Sequence, residues 1–465
     1  MSNNVETSTR VAKIVRAAPE VAAELPESER GLFRDFVQAV AKQVRAPFVA
    51  RHGAEGTVRA LLPLFRCFAT RSGDSVHVEA EPRGEDSLVV RTCMPDQPFI
   101  VDTVRLMLSA RGAVYESGVN AVMPVTRDAD GRLTSVGGAG RLESVLQIEA
   151  SKLGPEVLAS AQAALESNLR LAQAMVRDFT AMSQTVERAA TLFNRVAARI
   201  PSNAEAYREA ADFMTWLLAD NFVFMGTMSG EDRLGFERVE GVSTWAPADT
   251  ASWGENPLDL PVHVHKGAVE SPVHRSGQID EILVRLPDEA GNPSHELVLR
   301  GMFTYRAVTQ PSRNVPILRR VLSRILRQEE SRPGSWRYKG VANVFDSLPT
   351  EYLFTASYEE IAEMVDRVLD AEAEQEVRVH LSQNAASQMV FFLAAMPRVQ
   401  YSDRLRRRME TTLKGRTSAS YSDHGLFVSR YETVLAYFYL TGAKPLSAEE
   451  LSALHADLGR MATPW

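Results

Sequence analysis

The change from one hydrophobic period to another is sharpest between Leu88 and Val125. Leu88, Val89 and Val90 open a β-branched run, the mark of a strand. Pro95, Asp96, Gln97 and Pro98 then interrupt it, because the prolines lack backbone donors and Asp favours turns. From Phe99 the spacing becomes helical: Ile100, Val104, Met107 and Leu108 recur on one side, with Val101 and Leu106 widening the stripe. Gly112 can take the left-handed conformation that ends a helix. A second strand is predicted from Ala113 to Val125. Strand, tight turn, short helix, glycine and strand make half of a βαββαβ sandwich.

The flanking pattern extends this picture. Residues 9–45 read as helical, with Leu32, Phe33, Phe36, Val37 and Val40 on one side. Strands are predicted at Thr57–Arg71 and Ser75–Glu81, and again at Leu142–Ile148. Arg127 to Arg132 contains Asp-Gly, a strong hairpin signal. Two helices are predicted at about 155–179 and 185–198, and a third at 204–219. The region from Phe222 is strand-rich, with VHVH at 262–265, EILVRL at 281–286 and HELVLRGMFTY at 295–305. Between the last two, PDEAGNP forms a loop. Ile317, Leu318, Val321, Leu322, Ile325 and Leu326 then recur at helical spacing, and further helices are predicted at 339–347 and 358–373. The last region repeats the central pattern, with strands at 377–381 and 389–395, a break at Pro397, a basic helix at 401–414, strands at 418–422 and 433–439, and a tail helix at 448–460. The repetition is of architecture, not of sequence. It predicts an α+β chain of tandem small sandwiches joined by helical segments.

Composition narrows the class. With 52 basic and 59 acidic residues among 465, the chain carries −7 and lacks the basic excess expected of a nucleic-acid binder. No apolar run approaches the roughly 20 residues needed to span a bilayer, so no membrane partner is expected. MSNNVETSTR has no apolar core behind its charges, which argues against a signal peptide and for the cytoplasm. The two cysteines, Cys67 and Cys93, suit a reducing compartment and read as buried thiols, not a disulfide.

Few residues offer chemistry. His263 and His265 share one face of a strand. They could begin a zinc site, but no third ligand follows at a standard spacing, so two histidines on a polar sheet face suffice and no metal is assigned. His274 and Arg275 lie in a loop near Asp280. An anion site is one reading, since Arg grips phosphate or carboxylate bidentately. A loop anchored by an Arg–Asp pair is the other. Arg319, Arg320, Arg324 and Arg327 form a basic helical stripe, either solvated or turned to an acidic partner, and the same holds for RLRRR at 404–408. The run GGAGR at 137–141 is neither GxGxxG nor GxxxxGK[ST] and reads as a hairpin end. GxSxG, HExxH and CxxC do not occur, so no catalytic residue is assigned.

Several blocks together resemble a family. MPDQPFIVDTVRLMLSARG (94–112), AVMPVTRDADGRL (121–133), EAADFMTWLLADNFVFMG (209–226), SPVHRSGQIDEILV (271–284), LRGMFT (299–304) and PSRNVPILRRVLSRIL (311–326) are similar, in order, to the amino-terminal, non-catalytic region of the large bacterial NAD-dependent glutamate dehydrogenases. The resemblance implies ACT-like βαββαβ modules, which bind amino acids or pair subunits. Modules are expected at 51–183, 222–350 and 376–442, with helical segments at 1–50, 184–221 and 351–375 and a tail at 443–465. It implies an effector site at the turn after the first strand and the glycine after the first helix, here Asp96, Gln97, Pro98 and Gly112. Phe99 departs from the pattern, since many such modules have glycine there. His274, Arg275, Asp280, Arg319 and Arg320 are the expected interface or anion contacts. No dinucleotide turn or glutamate-site lysine context appears, so no cofactor is expected in this chain. NAD and conversion of glutamate to 2-oxoglutarate would belong to a catalytic region elsewhere. Expected partners are a second copy of the chain, that catalytic region and an amino-acid effector. A free-standing amino-acid sensor is the alternative.

Overall fold

A computed structural model describes residues 2–71, 73–239, 260–328, 332, 334–384, 388–429 and 432–463. It divides into two compact units, Met1–Arg177 with Ser271–Gly277, and Asp178–Glu270 with Gln278–Trp465.

The first unit opens with three helices, α1 (Ser2–Ala22), α2 (Glu27–Ala41) and α3 (Ala46–Thr70). Strands β1 (His77–Pro82) and β2 (Leu88–Pro95) follow, then helix α4 (Ile100–Ala110), strands β3 (Val114–Arg127), β4 (Leu133–Val136) and β5 (Arg141–Ser151), and the long helix α5 (Pro155–Arg199). The sheet runs β1–β2–β5–β3–β4 with every pairing antiparallel. Both faces are covered. Cys93, Val119, Ala121, Met123, Val125 and Val145 pack with Phe33, Phe36, Phe65 and Phe68 of the first three helices. Val90, Met94, Leu146 and Ile148 pack with Val104, Met107 and Leu108 of α4 and Leu165 and Leu169 of α5. That double burial explains why β2 reads as a continuous apolar run, not an alternating one.

The second unit adds α6 (Ala204–Trp216), β6 (Phe222–Ser229), β7 (Asp232–Gly235), β8 (Val262–Glu270), β9 (Gln278–Pro287) and β10 (Pro293–Phe303). Helices α7 (Tyr305–Val308), α8 (Leu318–Gln328), α9 (Trp336–Ser347), α10 (Thr350–Thr355) and α11 (Tyr358–Glu374) follow. The chain then forms β11 (Arg378–Asn384), β12 (Met389–Pro397), α12 (Asp403–Thr417), β13 (Tyr421–Val428), β14 (Thr433–Thr441) and α13 (Ala448–Ala462). Its sheets run β7–β6–β10–β9–β8 and β11–β12–β14–β13, again antiparallel throughout. Period-two alternation is plain in β12. Val390, Phe392 and Ala394 face α12 and α13 through Met409, Leu413 and Leu454, while Phe391, Leu393 and Ala395 join the core of α11.

The α+β expectation is borne out, and local corrections sharpen it. Thr57–Arg71, expected as a strand, belongs to α3: Val58, Leu61, Leu62, Phe65 and Phe68 are buried at helical spacing, and Pro63 sits inside without ending the helix. The two helices expected at 155–179 and 185–198 are one, because no proline or glycine interrupts 180–184. Expected boundaries at 50/51 and 183/184 therefore fall within helices. Ser418 is the left-handed cap of α12, and the strand starts at Tyr421. In the first and third sheets the edge strand precedes the β–α–β–β–α core instead of following it, giving ββαββα order in the third and the same order with the hairpin strand β4 added in the first. The middle sheet, expected as another βαββαβ module, joins β8, β9 and β10 through short turns. Asp288 Oδ1 accepts from the Ala290 and Asn292 amides, and Gly291 has φ +86°, which closes the β9–β10 turn without a helix. Residues 240–259, between β7 and β8, lie outside the described residues.

Candidate functional site

The turn between β2 and α4 is built by its own sequence. The Asp96 amide donates to the Leu142 carbonyl at 3.0 Å, tying the turn to β5. Pro98 cannot donate, and Phe99 takes the left-handed conformation at φ +73° immediately before α4. A phenylalanine there is strained, and such strain persists only where surrounding contacts hold it. One contact is evident: the Phe99 ring meets the edge of His274, with centroids 5.1 Å apart. His274 is itself left-handed, at φ +71°.

Two polar atoms at this turn are buried without hydrogen-bond partners, Gln97 Nε2 and His274 Nδ1. Each leaves a desolvation cost that a ligand group could relieve. Burial lowers the His274 pKa, as does Arg275, against the opposing pull of Asp102. The ring is thus held toward its neutral form, with one nitrogen able to accept and the other to donate. Burial raises the Asp96 pKa, partly offset by the Gln97 amide. The arrangement suits a small polar ligand that offers both an acceptor and a donor, as an amino acid does.

Gly112 does not share this turn. It ends α4 at φ +79°, where the Ala113 amide reaches the Leu108 carbonyl at 3.1 Å. Eleven helical residues separate it from Phe99, roughly 16 Å of rise. The four expected effector residues therefore stand at opposite ends of one helix, and a single small ligand cannot touch all of them in one module.

The expected anion contacts on the second unit, Asp280, Arg319 and Arg320, each have partners within that unit. Asp280 lies on β9, where its carboxylate takes Lys266 Nζ at 2.7 Å and the Phe303 amide at 3.1 Å. Arg319 grips Glu209 with three hydrogen bonds, from Nε to both carboxylate oxygens at 3.0 and 3.2 Å and from Nη2 at 2.8 Å, and also meets Asp212. Glu209 accepts from the Ile317 amide as well, at 2.7 Å, so it orders the entry to α8. Arg320 lies 3.9 Å from Glu205. The acidic side of α6 thus occupies this part of the basic stripe.

Two buried ionic networks were not legible in the sequence. In the first unit Glu143 is clamped between Arg71 and Arg127, whose guanidinium also donates to the carbonyls of Phe68, Arg71 and Gly131. Burial raises the Glu143 pKa, but the two arginines outweigh it and bring the pKa below the usual carboxylate value. In the second unit His265 meets Glu281 at 3.0 Å, Glu281 accepts from Arg300 Nε at 2.9 Å, and Arg300 also pairs with Glu237. His265 and Glu281 are cross-strand partners 16 residues apart. His263 stands beside them, its pKa lowered to about 4 by burial, His265 and Arg285. His265 thus belongs to the buried Glu281–Arg300–Glu237 network on the sheet, and His263 lies beside it with ring centroids 5.9 Å apart.

Comparison with known proteins agrees with this architecture. Residues 36–165 match the family model for the glutamate dehydrogenase ACT1 domain, and residues 315–374 match that for glutamate dehydrogenase helical motif 1. The chain is 28% identical over 402 residues to the NAD-specific glutamate dehydrogenase of Halomonas elongata, covering 80% of this chain and 25% of the relative. It is 26% identical over 373 residues to the NAD-specific glutamate dehydrogenase of Pseudomonas aeruginosa, covering 75% of this chain and 23% of the relative. The chain thus spans about a quarter of the length of these curated relatives. The expected kinship with the amino-terminal, ACT-like region of the large NAD-dependent glutamate dehydrogenases is borne out. Among the described residues, no helix is long and apolar enough to cross a membrane.

Proposed function

We propose that this chain, as kin of the amino-terminal region of NAD-specific glutamate dehydrogenases, is a regulatory and assembly region that does not itself transfer hydride. The observation that carries the reading is the coincidence of the ACT1 match at 36–165 with a closed three-layer module. Glutamate oxidation and NAD binding would belong to a catalytic region acting with it in the cytoplasm. Regulation would take the form of an effector binding one assembly state more tightly than another. The turn of Asp96, Gln97 and Pro98, with His274 against Phe99, is the effector contact this reading favours. The two unpartnered polar atoms support it.

The same observation supports a second reading, a free-standing amino-acid sensor with no enzyme partner. A thermal-shift screen against the twenty amino acids, paired with sedimentation of the ligand-free and ligand-bound chain, separates the two. Regulation by assembly predicts a specific thermal shift accompanied by a change of sedimenting species. A shift with no change of species favours sensing. Gln97→Ala and His274→Ala are expected to abolish the shift. A flat screen, or a shift indifferent to both substitutions, removes the effector assignment.

A further inference from the structure

We propose that Cys67, Cys93, His77 and Glu79 form a binding site for one borderline-soft divalent cation, with zinc the ion their donors fit. The four residues come from three elements of the first unit. Cys67 lies in the last turn of α3, Cys93 on β2, and His77 and Glu79 on β1. Pairing of β1 with β2 places His77 directly opposite Cys93, and two-residue spacing puts His77 and Glu79 on one face of their strand. Cys93 belongs to the face that packs on the first three helices, which brings Cys67 to the same point.

The separations are those of a ligand set. The two sulfurs stand 3.3 Å apart, and His77 Nε2 lies 3.5 Å from Glu79 Oε1. Ligand atoms of Cys67, His77 and Glu79 all fall within 4.8 Å of one another. Donors bound tetrahedrally to zinc at about 2.0–2.3 Å stand roughly 3.3–3.8 Å apart, so the set closes around an ion by side-chain rotation that draws the three together and turns Cys93, which stands outside that group but touches Cys67, toward them. Two buried thiols in contact need no further explanation by themselves. What distinguishes this pair is the imidazole beside it: His77 Nε2 is shielded from solvent and makes no hydrogen bond. A nitrogen lone pair in that position has a use if it ligates.

The surroundings complete the case. Two sulfurs, one imidazole and one carboxylate are each donors that zinc accepts, whereas magnesium and calcium prefer oxygen. Arg91 Nη1 stands 3.8 Å from Glu79 Oε2 and 2.8 Å from Glu81, so it steadies the carboxylate from outside. The sulfurs are buried, but the side chains of His77 and Glu79 are 39% and 41% exposed, which leaves an approach for the ion. The spacing of these residues, 67, 77, 79 and 93, follows no linear zinc motif, so only the fold brings them together.

The test uses the full chain, stripped with chelator, kept reduced, incubated with one equivalent of zinc and passed through gel filtration. One zinc per chain is expected by elemental analysis, and cobalt in its place should give tetrahedral absorption with a thiolate charge-transfer band. Zinc should also slow alkylation of both thiols at least tenfold. Cys67→Ser and Cys93→Ser should reduce retained zinc to less than about a tenth, and His77→Gln or Glu79→Gln should weaken binding at least tenfold while leaving the far-ultraviolet circular dichroism unchanged. Those last two positions are partly exposed, so they keep the test open should a cysteine variant fail to fold. Zinc retention equal in the parent and in His77→Gln and Glu79→Gln would overturn the proposal. So would octahedral cobalt without a thiolate band, or thiols that alkylate equally fast with and without zinc.

Discussion

Apart from β4, which extends the first, the first and third sheets share one strand order, edge, first, third, second, but bury different chemistry. In both, the strand before the turn ends in proline, Pro95 or Pro397. Each proline pairs with the matching position of the third strand, Glu143 in one sheet and Thr433 in the other. Each turn is tied by the same kind of bond, Asp96 amide to Leu142 carbonyl and Arg398 amide to Glu432 carbonyl. Beyond that they part. Glu143 is almost fully buried between two arginines, while Thr433 is buried with an unpartnered hydroxyl. Phe99 is left-handed against His274, whereas Arg398–Gln400 form a 3-10 turn whose Val399 is 93% exposed. Apolar faces alone therefore seal this topology, as in the third sheet. The ionic clamp of the first does something else: it fastens the end of α3 and the β3–β4 hairpin to β5.

The comparison breaks most easily at Glu143. Removing its carboxylate in Glu143→Ala leaves Arg71 and Arg127 buried without their partner, and urea unfolding of the first unit should show a loss of about 3–5 kcal/mol. At the matching position, Thr433→Val replaces an unpartnered hydroxyl with a methyl and should change stability by less than about 1 kcal/mol. Similar losses at both positions would mean that the clamp has no special role.

Acid sharpens the contrast. In the third sheet His380 has its pKa lowered to about 4, by burial and Arg367 against the pull of Glu363, with His455 adding slightly. The unfolded chain takes up that proton near pH 6.5 but the folded chain does not until about pH 4, so stability falls as the pH drops through that window. At pH 5 the loss should be roughly 1–2 kcal/mol, and His380→Gln should remove most of it in thermal melts. His263, lowered to the same value, adds a parallel loss. Glu143 acts lower: its stabilisation is present above the usual carboxylate pKa and disappears as the pH falls through its depressed folded value. A stability profile flat from pH 7 to 5 would contradict the histidine assignment.

The smallest effects lie in the turns. Phe99→Gly relieves a left-handed phenylalanine but loses the ring contact with His274, and the two should nearly cancel, within about 1 kcal/mol by denaturation. Val399→Ser should change stability by less than about 0.5 kcal/mol. A large loss at Val399 would show that the third turn is covered by something besides solvent.

The β2–α4–β3 segment was legible because strand period, proline break, helical period and glycine stop follow one another within 38 residues, all of them local signals. Thr57–Arg71 misled because its β-branched and aromatic residues suit either element, and only the burial of Leu61, Leu62, Phe65 and Phe68 decides for a helix. The paired histidines were seen, but not Glu281, which reaches His265 across a strand pairing. Glu143, Arg71 and Arg127 are likewise joined by register and by the end of α3, and no linear spacing reports that. Nor does it report the meeting of Cys67 with Cys93. The turn at Asp96–Pro98 is singled out only by resemblance, and no local signal joins it to His274, which meets Phe99 from far along the chain.

The most direct test of the regulatory reading is NADH formation from glutamate and NAD by the purified chain, under conditions where its amino-acid binding is measured in parallel. The account predicts no glutamate-dependent NADH above the enzyme-free rate, alongside saturable amino-acid binding that Gln97→Ala and His274→Ala abolish. Steady glutamate-dependent reduction of NAD that co-purifies with the chain would contradict it.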